Sequence, residues 1–358
     1  LFGGKYYQSK NNERQGPGTN GSDADFNFDT STYPNYPRQS DYEFPNLNFA
    51  VFGENIFKIT NDFSVTPGIR FEYIKTQSEG FYKNINFDNA GNPILNEDIP
   101  ENRDLERSFV LLGVGLSYKP DKAIELYGNL SQNYRSVTFN DIRITNPSLT
   151  VDPNITDENG FTFDLGARGR LNNYLSYDVS GFFLSYKNRI GVVLREVSDI
   201  QVELYRGNIG DAITYGIETF AGLNVWELLS GSENVKLDFF SNLALTGSRY
   251  TQSSQNNVEG NKVEFIPAVN LKTGLNFGYK NLLGSLQYTY LSKQYTDATN
   301  SPRDFESQSG IIGEIPAYDI MDLSLSYRYQ MVNRETGLSA LLDPGSFVLP
   351  APAYTGSA

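Results

Sequence analysis

The 358-residue chain carries 29 basic and 42 acidic residues, a formal charge of −13, and neither cysteine nor histidine. These counts exclude disulfides, thiol chemistry, a zinc site, histidine-based catalysis and a haem held by histidine from these residues, and the charge argues against nucleic acid, whose phosphates it would repel. Apolar runs never exceed about eight residues, Phe109–Leu116 being the best, so a transmembrane helix of about 20 residues fits nowhere.

In chain order, strands are expected at about 2–8, 48–59, 63–76, 109–118, 124–135, 161–171, 176–190, 214–226, 235–249, 265–279, 284–296 and 319–329. Their connections alternate. Tight polar turns sit near Thr60–Asp62, Lys119–Lys122, Asn172–Asn173 and Lys280–Asn281, with a slightly longer one at Glu227–Asn234. Between them lie long polar stretches at roughly 9–47, 77–107, 136–160, 191–213, 250–264 and 297–316. Short turns at one end and long loops at the other are the rhythm of an outer-membrane barrel. Tyr and Phe, at 24 each, suit both strands and the aromatic girdles of such a barrel.

Four strands show two faces. Val110, Leu112, Val114, Leu116 and Tyr118 oppose Gly113, Gly115 and Ser117. Ile124, Leu126, Leu130 and Tyr134 oppose Glu125, Tyr127, Asn129, Ser131, Asn133 and Arg135. Phe161, Phe163, Leu165, Ala167 and Leu171 oppose Thr162, Asp164, Arg168 and Arg170, and Met321, Leu323, Leu325, Tyr327 and Tyr329 oppose Asp322, Ser324, Ser326 and Arg328. Such period-two alternation marks strands with one apolar and one polar face. A soluble sandwich turns the apolar set inward, whereas a wide membrane barrel turns it out to lipid. Arginine facing lipid at the midplane costs about 2–4 kcal/mol. Arg70, Glu72, Glu125, Asn129, Arg168 and Arg170 are therefore expected to face a wet lumen, as a charge ladder or as contacts to a plug.

Several features carry weaker signals. Acidic residues gather in the 77–107 stretch, which reads as a solvated surface, or as divalent-cation binding that bridges lipopolysaccharide. Asp23, Asp25 and Asp29 lack the spacing and closing glutamate of a calcium loop. Residues 331–358 show no alternation and contain Pro344, Pro350 and Pro352, so they read as an irregular tail, either a disordered extension or a frame-slip or truncation artefact. No leader pattern opens the chain, which reads as a fragment of a longer precursor.

Longer strings add a resemblance. "NFAVFGENIFKITNDFSVTPGIRFEY" (48–73), "ELYGNLSQNYRSVTFNDI" (125–142), "FTFDLGARGRLNNYLSYDVSGFFLSYKNRIG" (161–191), "YRGNIGDAITYGIE" (205–218) and "IPAYDIMDLSLSYRY" (315–329) are similar, in combination, to the C-terminal barrel of TonB-dependent outer-membrane receptors. The nearest branch is that of the ferric citrate receptor, and the resemblance covers about 1–330. It implies an all-β, transmembrane antiparallel β-barrel, here about 12 of 22 strands, without the plug domain, the TonB box or the final aromatic strand. It also implies a Gram-negative outer-membrane importer of an iron chelate that does no bond chemistry and needs no cofactor. The implied partners are the TonB–ExbB–ExbD system, a ferric chelate such as ferric citrate or a siderophore, and outer-membrane lipid. Within "NYRSVTFNDIRI", Arg135, Asn140 and Arg143 could hold a polycarboxylate, since arginine binds carboxylates bidentately, or could pair lumen carboxylates instead. A TonB-dependent glycan importer, a general porin and a soluble β-rich enzyme or adhesin remain the alternatives.

Overall fold

The computed structural model describes residues 1–21, 27–144, 146, 149–198, 201–229, 235–303, 313–332 and 339–342. Twelve principal strands make one antiparallel meander. They are β1 (Phe2–Gln15), β2 (Ser40–Glu54), β3 (Phe63–Phe87), β4 (Arg103–Tyr118), β5 (Ile124–Arg135) and β6 (Glu158–Leu171), then β7 (Leu175–Ser198), β8 (Gln201–Asn224), β9 (Val235–Gln252), β10 (Val269–Tyr279), β11 (Leu282–Leu291) and β12 (Tyr318–Tyr327). Each pairs with its sequence neighbours, in the order β1 to β12. These are the twelve strands that dyad patterning locates.

The tight turns form where polar residues interrupt the alternation. Lys280, at φ 53°, and Asn172, at φ 48°, adopt the left-handed conformation that reverses the chain at β10–β11 and β6–β7. At 59–62, Thr60 Oγ1 accepts the N–H groups of Asp62 (3.2 Å) and Phe63 (3.0 Å). The expected turn at Glu227–Asn234 begins instead with a short helix over Val225–Leu229, and residues 230–234 lie outside the described residues. Among the described residues no helix is long and apolar enough to cross a membrane.

Strand bounds depart from expectation at the long-connection end. β1 runs to Gln15 and β2 starts at Ser40. β3 is 25 residues long, and β7 and β8 are 24 each. A tilted bilayer crossing needs about 9–11. The surplus consists of paired hairpin beyond the hydrophobic band, where Tyr42, Phe44, Val193 and Tyr205 are buried beside equally buried Thr76 and Ser78, so period-two hydrophobicity no longer marks the strand. Stretches expected to be loops at 77–107 and 191–213 are therefore largely hairpin, and Pro93–Pro100 adds a further pairing on β3. At the other end of the chain the last principal strand closes at Tyr327, and Tyr329–Val332 pairs with Ser339–Leu342 apart from the main sheet. Residues 343–358 of the expected tail lie outside the described residues, as do Asp23 and Asp25.

The apolar face is open. Val110, Leu112, Leu116, Leu126, Leu130, Phe161, Phe163, Leu165, Tyr215, Ile217 and Leu245 are all exposed, Leu165 by 60%. A soluble sheet would bury them; here they stay outside any packed centre, as a lipid-facing surface requires. Tyr134, of the same parity on β5, is half-buried. Its ring turns to stack on Phe109, with centroids 3.7 Å apart, and its hydroxyl bonds Asp157.

Burial concentrates beyond the band. Tyr42, Phe44, Val137, Ile142 and Ile155 form one cluster, and Ile144, Leu149 and Val151 another beside it. A third joins Val193, Tyr205, Ile209 and Ala212 to Tyr250, Val258, Val263 and Ala298. These residues come from the long connections and from the strand ends that carry them. The dry core of this chain lies there.

Candidate functional site

The β5–β6 connection is the centre of that end. It opens with a short helix, α1 (Phe139–Ile142), whose start is held by Asp141, which accepts the Thr138 N–H and hydroxyl, both at 2.8 Å. Thr76 of β3 and Arg107 of β4 both donate to the carbonyl of Val137. Thr76 shares a face with Glu72 and Arg70, so the connection folds over the polar face of the sheet. Farther on, Leu149–Val151 adds in parallel to Leu204–Arg206 of β8. Arg103 donates to the carbonyls of Val151 and Asp152. Tyr205 Oη bonds Asp152 Oδ2 at 2.6 Å, and burial first, then that carboxylate, push the phenol up to about 12.

Three of the sequence candidates meet around α1. Arg135 is gripped by two carboxylates, Glu158 at 3.0 Å and Asp141 at 2.8 Å. Arg143 pairs with Glu13 of β1. The side chain of Asn140 is exposed, and its carbonyl receives Arg206 Nη1 at 2.6 Å. The guanidinium of Arg135 is thus committed to holding α1 against β6.

Arg206, which the sequence does not single out, completes the group. It donates to the carbonyls of Asn140 and Arg143 and has no carboxylate within salt-bridge distance among the described residues. Burial holds its guanidinium below the usual arginine range; Asp141 opposes that shift, and the Arg143 charge adds to it. A half-buried cation beside a second cation, with backbone oxygens as its partners, is a place where an added anion gains. In "YRGNIGD" the only local hint is an arginine with no acidic neighbour before Asp211.

Below the connections the polar face carries the other candidates. Arg70 pairs with Glu72 two residues along the same face, and Glu72 also accepts Asn48 Nδ2 at 2.9 Å. Arg70 lies over the Phe52 ring at 5.3 Å. Glu125 accepts Arg168 at 3.0 Å and the Ser117 hydroxyl at 2.6 Å, while Arg168 sits 5.1 Å over Tyr127. Asn129 donates to Asp164 at 3.0 Å. Arg170 has no ion pair among the described residues. A cavity of about 520 Å³ opens on this face between β5 and β10, lined by Tyr127, Asp178, Glu218, Asn242, Asn270 and Lys272. The structure thus brings Arg70 to Glu72 and Arg168 to Glu125, as a charge ladder does, and keeps both pairs apart from the group at α1. Among the described residues no group of three or more carboxylates is set to hold a metal ion.

A strand meander with an exposed apolar face, a charged polar face and a packed loop end has close counterparts. The chain is 22% identical over 286 residues to the ferrienterobactin receptor of Escherichia coli (strain K12), covering 78% of this chain and 34% of that protein. It therefore spans about a third of the length of this curated relative. The ferric yersiniabactin uptake receptor of Yersinia pestis superposes with a TM-score of 0.59 at 17% identity, over 81% of this chain and 39% of that one. The ferric citrate transporter FecA does so at 0.59 and 15%, over 94% and 52%, and the copper transporter OprC at 0.61 and 15%, over 91% and 45%. At these identities the likeness is one of fold. The family model for the TonB dependent receptor-like β-barrel matches residues 1–340, and the chain belongs to that family.

Proposed function

We propose that the complete receptor containing this barrel region imports an anionic iron chelate across the outer membrane of a Gram-negative bacterium. Import is driven through the TonB–ExbB–ExbD system, and no covalent chemistry takes place in the barrel. The observation that carries the reading is the pair of opposed faces, apolar and exposed on one side, charged and hydrogen-bonded on the other, in a chain of this family. Relatives whose names specify ferric enterobactin, yersiniabactin and citrate support an iron chelate as cargo. Arg206, with Arg143 and Asn140, is the group for the anionic part of that chelate, because Arg206 alone of the three arginines near α1 lacks a carboxylate partner among the described residues. Arg135 positions α1 beside it. Arg70, Glu72, Glu125, Asn129, Arg168 and Arg170 line the lumen and contact the plug.

The test is equilibrium binding of radioiron chelates, citrate and catecholate among them, to the complete receptor. Arg206→Gln is expected to weaken binding of the cognate chelate about ten-fold, the size of one charge-assisted hydrogen bond. Arg170→Gln, lower on the wall, is expected to leave that affinity unchanged. If a strain lacking the receptor takes up every ferric chelate at the parental rate but loses uptake of an oligosaccharide, the iron reading is wrong.

A further inference from the structure

The wall of this sheet is interrupted at one junction. β4 pairs with β3 along its whole length, from Phe63–Tyr118 to Ser78–Arg103. Its ladder with β5 runs only from Tyr118–Leu126 to Gly113–Ser131, six residue pairs against ten or more at every other junction of the meander. β5 continues to Arg135, but there it pairs with β6. Above Gly113, side chains do what the backbone does elsewhere. Leu112 N–H donates to Gln132 Oε1 at 2.9 Å, and Tyr134 leans across to stack on Phe109.

On the apolar side the gap leaves a groove of about 570 Å³, lined by Leu112, Val114, Leu130 and Phe161 with Gly113, Ser131 and Gln132. That volume falls in the range of about 300–1,000 Å³ typical of small-molecule sites. Gln132 stands on the parity of Leu126 and Leu130, both exposed, where an amide is out of place. Its Oε1 explains half of the choice, since it replaces the missing carbonyl of a partner strand. Its Nε2 has no protein partner among the described residues. In water that amide would be hydrated at no cost; in hydrocarbon an unpaired N–H costs several kcal/mol.

We propose that this seam is a lipid site. One acyl chain from the leaflet beside the long connections lies against Leu112, Leu130 and Phe161, and its ester or amide carbonyl accepts from Gln132 Nε2. The depth is right, because Leu112 and Gln132 sit toward the long-connection edge of the exposed apolar band, where the chains of that leaflet begin. The site rests on the membrane reading above, and its test separates the two.

This chain contributes no cysteine, and once any cysteine elsewhere in the complete receptor is replaced by serine, a single introduced thiol can carry a fluorophore. The complete receptor is labelled at Phe163→Cys, beside the groove, or at Leu286→Cys, as exposed and on the same face but five strands farther along the sheet. It is reconstituted in ether-linked phosphatidylcholine, which has no carbonyl, with a small fraction of ester-linked phosphatidylcholine bearing a nitroxide on its chain. Half-maximal quenching at the Phe163→Cys label is expected at a roughly ten-fold lower fraction of ester lipid than at Leu286→Cys, the ratio one amide hydrogen bond supplies. Adding Gln132→Leu is expected to erase the difference. Equal quenching at both labels means ordinary surrounding lipid and overturns the site while leaving the membrane reading intact. A preference that survives Gln132→Leu overturns the carbonyl contact, and absence of quenching at either label overturns the membrane reading and the site together.

Discussion

The part of the strands near the tight turns and the end that carries the long connections obey opposite rules. In the strand band, Leu165, Leu116 and Ile217 stand exposed, while Glu125, Arg168, Asp164 and Asn129 bond one another on the other face. Beyond the band, Tyr42, Phe44 and Ile142 are almost completely buried, and the charged pairs lie around them. Between the two regions the solvent changes. Hydrocarbon covers the apolar side chains of the band, so the chain needs no dry interior there. Once the strands leave the bilayer, water would meet those surfaces, and the connections must pack on each other.

Two substitutions probe the contrast most strongly. Phe44→Ala opens a cavity among Tyr42, Phe139 and Ile142 and is expected to destabilise by about 3–5 kcal/mol, because Phe44 is 2% exposed and stacks with Tyr42 at 5.4 Å. Urea unfolding of the complete receptor in lipid measures it, and hydrogen exchange should locate the loosening at 136–157. Leu165→Arg, in the band, is expected to cost about 2–4 kcal/mol in a bilayer. In contact with water the same change would fall within about 0.5 kcal/mol. A small effect of Leu165→Arg in lipid would therefore break the comparison at its lower half.

The same division explains what could be read from the residues alone. The twelve strands were legible because hydrocarbon demands an apolar residue at every second position, and "FVLLGVGLSY" and "FTFDLGARGRL" meet that demand. The strand ends were not. In "KTQSEGFYKN", which continues β3, alternation is lost because polar Thr76 and Ser78 are the residues buried under the connections, yet the ladder goes on to Phe87. The packed end was equally hidden, since Val258 and Ala298 come from irregular connections with no period to reveal them. Of the candidate residues, Arg168 and Glu125 were found by parity, and the structure pairs them. Arg135 and Arg143 were found by motif, and the structure surrounds the first with carboxylates. Arg206 could not be found, because what distinguishes it is a spatial fact, that among the described residues no carboxylate comes within salt-bridge distance of it. Gln132 left one trace: a polar side chain where Leu126 and Leu130 predict an apolar one.

A smaller effect, at the packed end, depends on pH. Tyr205 lies in the third buried cluster, and its phenol is held up to about 12, by burial first and then by its bond to Asp152, with Arg195 acting against both. A raised value means that the folded state favours the neutral phenol. The stability this contributes is fully present below about pH 10, the ordinary tyrosine value, and is lost as the pH rises from there through about 12. The expected loss is about 1–2 kcal/mol over that window. Tyr205→Phe forgoes the bond to Asp152, so it should start about 1 kcal/mol lower at neutral pH and then decline less steeply. Unfolding midpoints of the two proteins, compared between about pH 8 and about pH 11.5, make the measurement. Converging curves place Tyr205 in a dry interior. Parallel curves would mean that water reaches it, and the dry packing beyond the band would then stop short of Tyr205.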